Sequence, residues 1–246
     1  MKRDVQFIAP LWQYGLFGLL VMLLVFTSCK KDVADACKGI SAVTDIDGNV
    51  YFTVQIGTQC WIQSNLKVSR FRNGDTIANI IGHPQWHRDR NGAWCSYRDE
   101  EANDSLYGKL YNWYAVRDSR GLCPAGWHVP SEAEWTTLID FLGGEAEAGD
   151  KMKGIAGWES PNMGDLNSSG FSGLPGGRRY ARPYRSPTYI AGYAGIGAVG
   201  IWWSSTFVHP LQVFVRIIKS DSASAASWLY NLEYEAAGYS CRCVQD

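Results

Sequence analysis

The sequence begins with a segment whose pattern is that of an export signal. Lys2 and Arg3 precede an unbroken apolar run at residues 16–26, and Cys29 follows after two small polar residues. This layout is typical of a secretory signal peptide, so we expect residues 1–28 to be removed. The exported chain must then adopt a fold that disulfide bonds can stabilise.

Cys29 is the expected N-terminus of the exported chain. The triplet Thr27-Ser28-Cys29 resembles a bacterial lipobox, in which the cysteine is acylated after cleavage. We predict a lipid-anchored protein of the bacterial cell envelope, at the periplasmic face or the surface of the outer membrane, with residues 29–40 as a polar tether. The alternative is an uncleaved membrane helix over residues 7–28, which is long enough to span a bilayer but contains Pro10.

Six cysteines remain once Cys29 is assigned to lipid. They form an even set in an oxidising compartment, so all six are candidates for disulfide bonds. These cysteines are Cys37, Cys60, Cys95, Cys123, Cys241 and Cys243. The sequence leaves their pairing open, although Cys241 and Cys243 would share one face of a strand and should have different partners.

The pattern of residues 41–246 predicts one α+β domain. A turn signal at Asp47-Gly48 indicates a hairpin over residues 43–57. A short helix is expected within residues 107–117, and a second begins at Ser131, where Glu134 completes a capping box. The second helix continues through an apolar stripe, which is formed by Trp135, Leu138, Ile139 and Leu142.

The second half of the domain lacks further helical periodicity. Residues 168–179 are rich in glycine and predict a loop that Phe171 and Leu174 hold against the core. Strand composition then recurs at residues 201–207, 213–218, 228–234 and 239–244.

The charge of the chain excludes one class of partner. Removal of residues 1–28 changes the net charge from −1 (23 basic and 24 acidic residues) to −2 (21 basic and 23 acidic residues). No basic stripe remains, so we expect no binding to nucleic acid.

Three short motifs could carry chemistry, and each has a simpler interpretation. Residues 195–200 match a dinucleotide-binding pattern by letter, but a strand-like segment follows where that pattern needs a helix. His83 and His87 have the spacing of a metal-binding helix, but a proline between them favours an exposed loop. Cys123 lies near His128, but a disulfide suits Cys123 better than an activated thiolate. We therefore expect no catalytic residue, metal or cofactor.

Tryptophan is the remaining signal for function. Ten of the eleven tryptophans follow residue 28. Most should fill the core of a fold with few long helices, but others could face a groove and stack on a sugar or anchor a protein. We select four tryptophans that could share such a groove, and the two arginines that end the glycine-rich loop, as a candidate binding surface. These residues are Trp86, Trp94, Trp202, Trp203, Arg178 and Arg179.

Several motifs together resemble the Fibrobacter succinogenes major paralogous domain. They are IGTQCWIQSNL at 56–66, YGKLYNWYAV at 107–116, CPAGWHVPSEAEW at 123–135, SGFSGLPGGRR at 169–179, WWSST at 202–206 and CRCV at 241–244. The resemblance runs in order from about residue 44 to residue 246. It implies an exported lipoprotein.

A more distant similarity implies the type of fold. The motif PSEAEW at 130–135, the glycine-rich middle and a cysteine near the end are similar to the sulfatase-modifying-factor group, whose formylglycine-generating enzymes have a C-type lectin-like fold. This similarity implies two short helices, small antiparallel sheets and extensive irregular loops. Those enzymes hold copper between two cysteines before the last strand, whereas residues 208–238 contain no cysteine here.

Three hypotheses for function follow. The leading one is a non-catalytic, lipid-anchored envelope or cell-surface protein that binds a glycan or a protein partner through a tryptophan-rich, loop-built surface. The second is an oxidase of the sulfatase-modifying type, and the third is a purely structural envelope component.

Overall fold

The computed structural model describes residues 35–162, 166–180, 192–208, 212–231 and 236–246. These residues lie in one compact unit, Val33–Asp246. The signal peptide, the acylation of Cys29 and the end of the expected strand at 228–234 lie outside the described residues. Within them, no helix is both long enough and apolar enough to cross a membrane.

Short strands and helices follow one another along the chain, with loops between them. The strands are β1 (Ala42–Thr44), β2 (Val50–Ile56), β3 (Gln59–Ile62), β4 (Ala78–Asn79), β5 (Ala93–Cys95), β6 (Leu110–Tyr111), β7 (Trp127–His128), β8 (Gly176–Arg179), β9 (Tyr193–Ile196), β10 (Val199–Val208), β11 (Gln212–Lys219), β12 (Ala225–Asn231) and β13 (Val244–Gln245). The helices are α1 (His83–Arg88), α2 (Ala102–Tyr107), α3 (Trp113–Val116), α4 (Glu132–Phe141) and α5 (Glu145–Met152). The fold is therefore mixed α+β, as the sequence predicted.

The strands form four small sheets. The largest has the order β1-β2-β3-β13-β7, so the last strand lies between strands from the beginning and the middle of the chain. A second sheet has the order β10-β11-β12 and is antiparallel throughout. A third, β4-β5-β6, contains one parallel pair, and β8 pairs with β9. The expected hairpin at 43–57 is confirmed by the antiparallel pairing of β1 with β2.

The described residues contain five α-helices, whereas the sequence predicted two. Residues 83–88 form α1 and not the exposed loop that we expected, because Pro84 occupies the first helical turn, where no N–H is needed. α5 has no apolar stripe to reveal it, since its buried positions include Ala148 and Gly149. The helix expected within 107–117 is reduced to the single turn of α3, because Leu110 pairs with Cys95 in a strand.

Helix α4 follows its prediction closely. The Ser131 hydroxyl accepts a hydrogen bond from the Glu134 N–H, and the Glu134 carboxylate accepts one from the Ser131 N–H, which completes the capping box. Trp135, Leu138, Ile139 and Leu142 are all buried. Gly143 and Gly144 follow with positive φ angles of 101° and 94°, which end the helix.

Two hydrophobic clusters form the core, and β10 contributes to both. Trp203 lies in the larger cluster, which also contains Tyr111 and Trp113. Trp202 lies in the smaller one, where it packs with Trp135 and Phe171. Consecutive residues of a strand point to opposite faces, so β10 is the shared wall between the two clusters.

Two disulfides join distant parts of the chain. Cys37 is bonded to Cys60, and Cys123 is bonded to Cys243. Cys37 falls within the predicted tether, so the end of the tether is part of the folded domain. Cys95 and Cys241 are free and fully buried, and the prediction of disulfides for these two is wrong. Each of these thiols packs inside the larger cluster as a small apolar side chain.

Candidate binding surface

The tryptophans selected from the sequence do not form a surface. Trp86, Trp202 and Trp203 have 0% of their area exposed, and Trp94 is half-buried. The prediction of a binding surface at the first three is therefore wrong. Each of their indole N–H groups donates to a protein acceptor, and the acceptors are Ala236 O, Asn65 Oδ1 and Tyr111 O respectively. A loop-rich fold uses these large rings to fill its core.

The two selected arginines also have partners within the domain. The Arg179 side chain is completely buried, where it donates to Ile80 O at 2.8 Å and lies 4.4 Å from the Trp86 ring centre. Its place on a binding surface is therefore also wrong. Arg178 is half-buried and donates to the Tyr180 hydroxyl at 3.1 Å. Trp94 donates to Ile77 O, and the Lys109 ammonium lies over its ring.

Trp228 is the tryptophan that the structure exposes. Of the ten tryptophans after residue 28, all of them within the described residues, only Trp228 is classed as exposed, with 45% of its area accessible. It lies on β12, at the edge of the β10-β11-β12 sheet. The sequence did not distinguish Trp228, because its strand has the same composition as the buried ones. The one usable signal was the polar turn SDSAS, which precedes its strand at residues 220–224.

A shallow cavity of about 300 Å³ lies beside the Trp228 ring. We call it the Trp228 groove, and it is lined by Ile217, Lys219, Asp221, Ser222, Ser224, Ala226 and Trp228. The strand register explains why residues of β11 and β12 lie together in the groove. Ile217 pairs with Ala226 and Val215 pairs with Trp228, and these pairs share one face of the sheet. The Lys219 ammonium lies 5.7 Å from the Trp228 ring centre. The groove thus combines an aromatic ring with a cation, a carboxylate and two hydroxyls.

Helix α5 holds the turn that forms the polar wall of the groove. The buried Lys153 ammonium donates to Ser222 O at 2.9 Å and to Ser220 O at 3.3 Å, and it pairs with the Asp150 carboxylate at 2.8 Å. Gly149 allows the close approach, since a Cβ there would lie 2.4 Å from Ser224 O. The turn between β11 and β12 is therefore fixed against the domain.

The residues considered for catalysis have other roles. His128 does not activate Cys123, which is in a disulfide; its ring contacts the Glu134 carboxylate at 2.8 Å and the Asp246 carboxylate at 2.6 Å. Burial raises the pKa of the Cys95 thiol to about 11 and raises that of Cys241 well above its usual value. Neither thiol forms an accessible thiolate near neutral pH.

Neither the dinucleotide-binding pattern at residues 195–200 nor the histidine pair His83 and His87 forms the site that its sequence pattern suggests. Residues 195–200 span the end of β9, a two-residue turn and the start of β10, so no helix follows the motif, as we expected. The described part of the chain contains no group of three or more His, Cys, Asp or Glu side chains that could hold a metal ion.

Comparison with known families gives one match. The model of the Fibrobacter succinogenes major domain matches residues 54–245, which is most of the chain. No curated protein and no solved structure matches the chain. The matched region contains the whole β10-β11-β12 sheet and all residues of the Trp228 groove.

Proposed function

The chain belongs to the Fibrobacter succinogenes major domain family, and we propose that it is a lipid-anchored protein of the bacterial cell envelope that binds a glycan in the Trp228 groove. The observation that carries the glycan proposal is the exposed Trp228 ring beside Lys219 and Asp221. The ring offers a flat apolar face on which a sugar ring can stack. The charged groups and the serine hydroxyls offer donors and acceptors for sugar hydroxyls.

The anchor proposal rests on the sequence, and the wider assignment of the fold rests on the resemblance. The lipobox-like Thr27-Ser28-Cys29 supports acylation and location at the outer membrane. The motifs shared with the sulfatase-modifying-factor group support a C-type lectin-like fold, which we also propose. Small antiparallel sheets and long loops are compatible with that fold.

Binding is favoured over the alternative of a cysteine oxidase. An oxidase of the sulfatase-modifying type needs cysteines that a substrate can reach. Cys95 and Cys241 are the two free thiols among the described residues, and both have 0% of their area exposed. Structural support alone, the third hypothesis, gives no reason for an exposed tryptophan beside charged groups.

A glycan array followed by calorimetry with the best ligand tests the proposed function. We expect Trp228→Ala to weaken binding roughly tenfold or more, because an interface tryptophan contributes about 2 kcal/mol or more and 1.4 kcal/mol is a factor of ten. The matched control is Leu229→Ala, since Leu229 is equally exposed, at 44%, but points to the other face of β12. Equal loss in both variants, or a protein ligand in place of any glycan, would contradict the proposal.

A further inference from the structure

The hairpin formed by β1 and β2 has an exposed apolar face. Val50 and Phe52 lie two residues apart on β2 with 58% and 66% of their area exposed, and Ile46 is 45% exposed in the adjoining turn. We call these three residues the β1–β2 patch. Val54 and Ile56, which continue the same face of β2, pack against the smaller hydrophobic cluster. The apolar face thus extends beyond the part that the core covers.

The carboxylates of the same hairpin are occupied by hydrogen bonds. Asp45 accepts from Asn49 and from the Tyr51 hydroxyl. Asp47 accepts from the Ser69 N–H and pairs with Arg70 at 2.5 Å. Both acidic groups of the hairpin are therefore held by partners within the domain.

The described end of the tether joins the domain beside this hairpin. The Cys37–Cys60 disulfide attaches the end of the tether to β3, and the Thr53 N–H donates to Ser41 O at 3.0 Å. Cys60 pairs with Gln55, three residues along β2 from Phe52, which is about 10 Å at the usual rise. Gln55 and Cys60 lie on the face of the sheet opposite to Phe52, and the Ala36 N–H donates to Gln55 Oε1, so the described end of the tether joins the domain on that face.

Chain length limits how far the domain can lie from the membrane. Six residue steps separate Cys29 from Asp35, and a fully extended chain spans at most about 3.5 Å per residue, or about 21 Å in all. That reach is only about twice the distance along β2 from Gln55 to Phe52. A domain held so closely keeps this end of the sheet near the bilayer.

We propose that the β1–β2 patch docks on the lipid bilayer to which Cys29 is anchored. This proposal rests on the acylation of Cys29 in the proposed function. The patch offers aliphatic and aromatic side chains of the kind that peripheral proteins insert into a membrane surface. Docking would also fix the orientation of the domain relative to the membrane.

Depth measurements on the full chain test the docking. The chain carrying Phe52→Cys is labelled with an environment-sensitive fluorophore and placed in vesicles of phosphatidylethanolamine and phosphatidylglycerol. The native thiols Cys95 and Cys241 are buried, so the unsubstituted protein gives the background labelling. The matched control is Phe207→Cys, at an exposed phenylalanine of the other large sheet, which is 49% exposed.

We expect the label at position 52 to shift its emission to the blue and to be quenched by nitroxide lipids, and the label at position 207 to do neither. If acylation is verified by mass spectrometry and position 52 is as water-exposed as position 207, the docking proposal is overturned and the anchor stands. A mature chain without lipid overturns both proposals.

Discussion

His128 connects three parts of the chain at the level of single side chains. Hydrogen bonding to Glu134, opposed by partial burial and assisted by Asp246, raises the pKa of His128 to about 9. Although burial acts in the other direction, hydrogen bonds from His128 and Ser131 lower the pKa of Glu134 to about 2. His128 is therefore an imidazolium at neutral pH, and both its ring nitrogens donate to carboxylates.

The His128 contacts predict how stability depends on pH. Because the pKa of His128 is higher in the folded state than its ordinary value of 6.5, its contribution is complete below pH 6.5 and is lost as pH rises toward about 9. Glu134 contributes above its ordinary value of 4.5, and this is lost as pH falls toward about 2. The combined contribution is therefore greatest between about pH 4.5 and 6.5.

We expect His128→Asn to lower the melting temperature at pH 6 and to lower it much less at pH 9. Melting curves of the two proteins across that range, recorded by circular dichroism, provide the check. An unchanged difference between the proteins from pH 6 to pH 9 would show that His128 is not the titrating group.

The sequence predicted the role of tryptophan in the core better than it predicted which individual tryptophans are exposed. Most tryptophans were expected in the core, and Trp61, Trp113 and Trp135 are there. Of those selected for a surface, Trp86, Trp202 and Trp203 are buried as well and Trp94 is half-buried, whereas Trp228 is exposed at an edge strand. The composition of a segment predicts a strand. Which face of that strand is buried depends on contacts with residues far away in sequence.

At the level of elements, α4 is the segment whose structure is most nearly local. Its cap, its apolar stripe and its glycine stop are all encoded within fifteen residues, 130–144. For that reason it was predicted almost to its ends. α1 and α3 depend on packing elsewhere, and local patterns misjudged both.

We expect Ser131→Ala to lower the free energy of unfolding by about 1 kcal/mol, because it removes a hydrogen-bonding partner of the first turn. Urea unfolding of the oxidised protein measures the change. Thr136→Ala serves as the control, since Thr136 is exposed on the same helix and away from its cap, and should change stability by less than about 0.5 kcal/mol. Equal losses in the two variants would count against the capping role.

At the scale of the whole molecule, the two disulfides differ in how much chain they enclose. Cys123 and Cys243 are 120 residues apart, whereas Cys37 and Cys60 are 23 apart. The presence of disulfides followed from export and from the even number of cysteines. The pairing could not follow, because only the folded topology brings the chain end β13 beside β7.

Removal of the disulfide that closes the longer loop should lower the free energy of unfolding more than removal of the other. The chain-entropy relation gives about 5 kcal/mol for the loop closed by Cys123–Cys243 and about 3.4 kcal/mol for that closed by Cys37–Cys60. We therefore expect the Cys123→Ala/Cys243→Ala variant to be about 1.5 kcal/mol less stable than the Cys37→Ala/Cys60→Ala variant. Guanidinium unfolding of both variants tests this order, and the reverse order would refute it.

The adjacent tryptophans of β10 limit how this domain can be divided in evolution. Trp202 and Trp203 each complete a different hydrophobic cluster from the same strand. A fragment that ends before β10 would leave both clusters open, and a fragment that begins there would lack α4 and the first sheet. A segment that folds by itself must therefore contain the whole domain, whereas exposed turns, such as the one between β11 and β12, can change with less effect on the core.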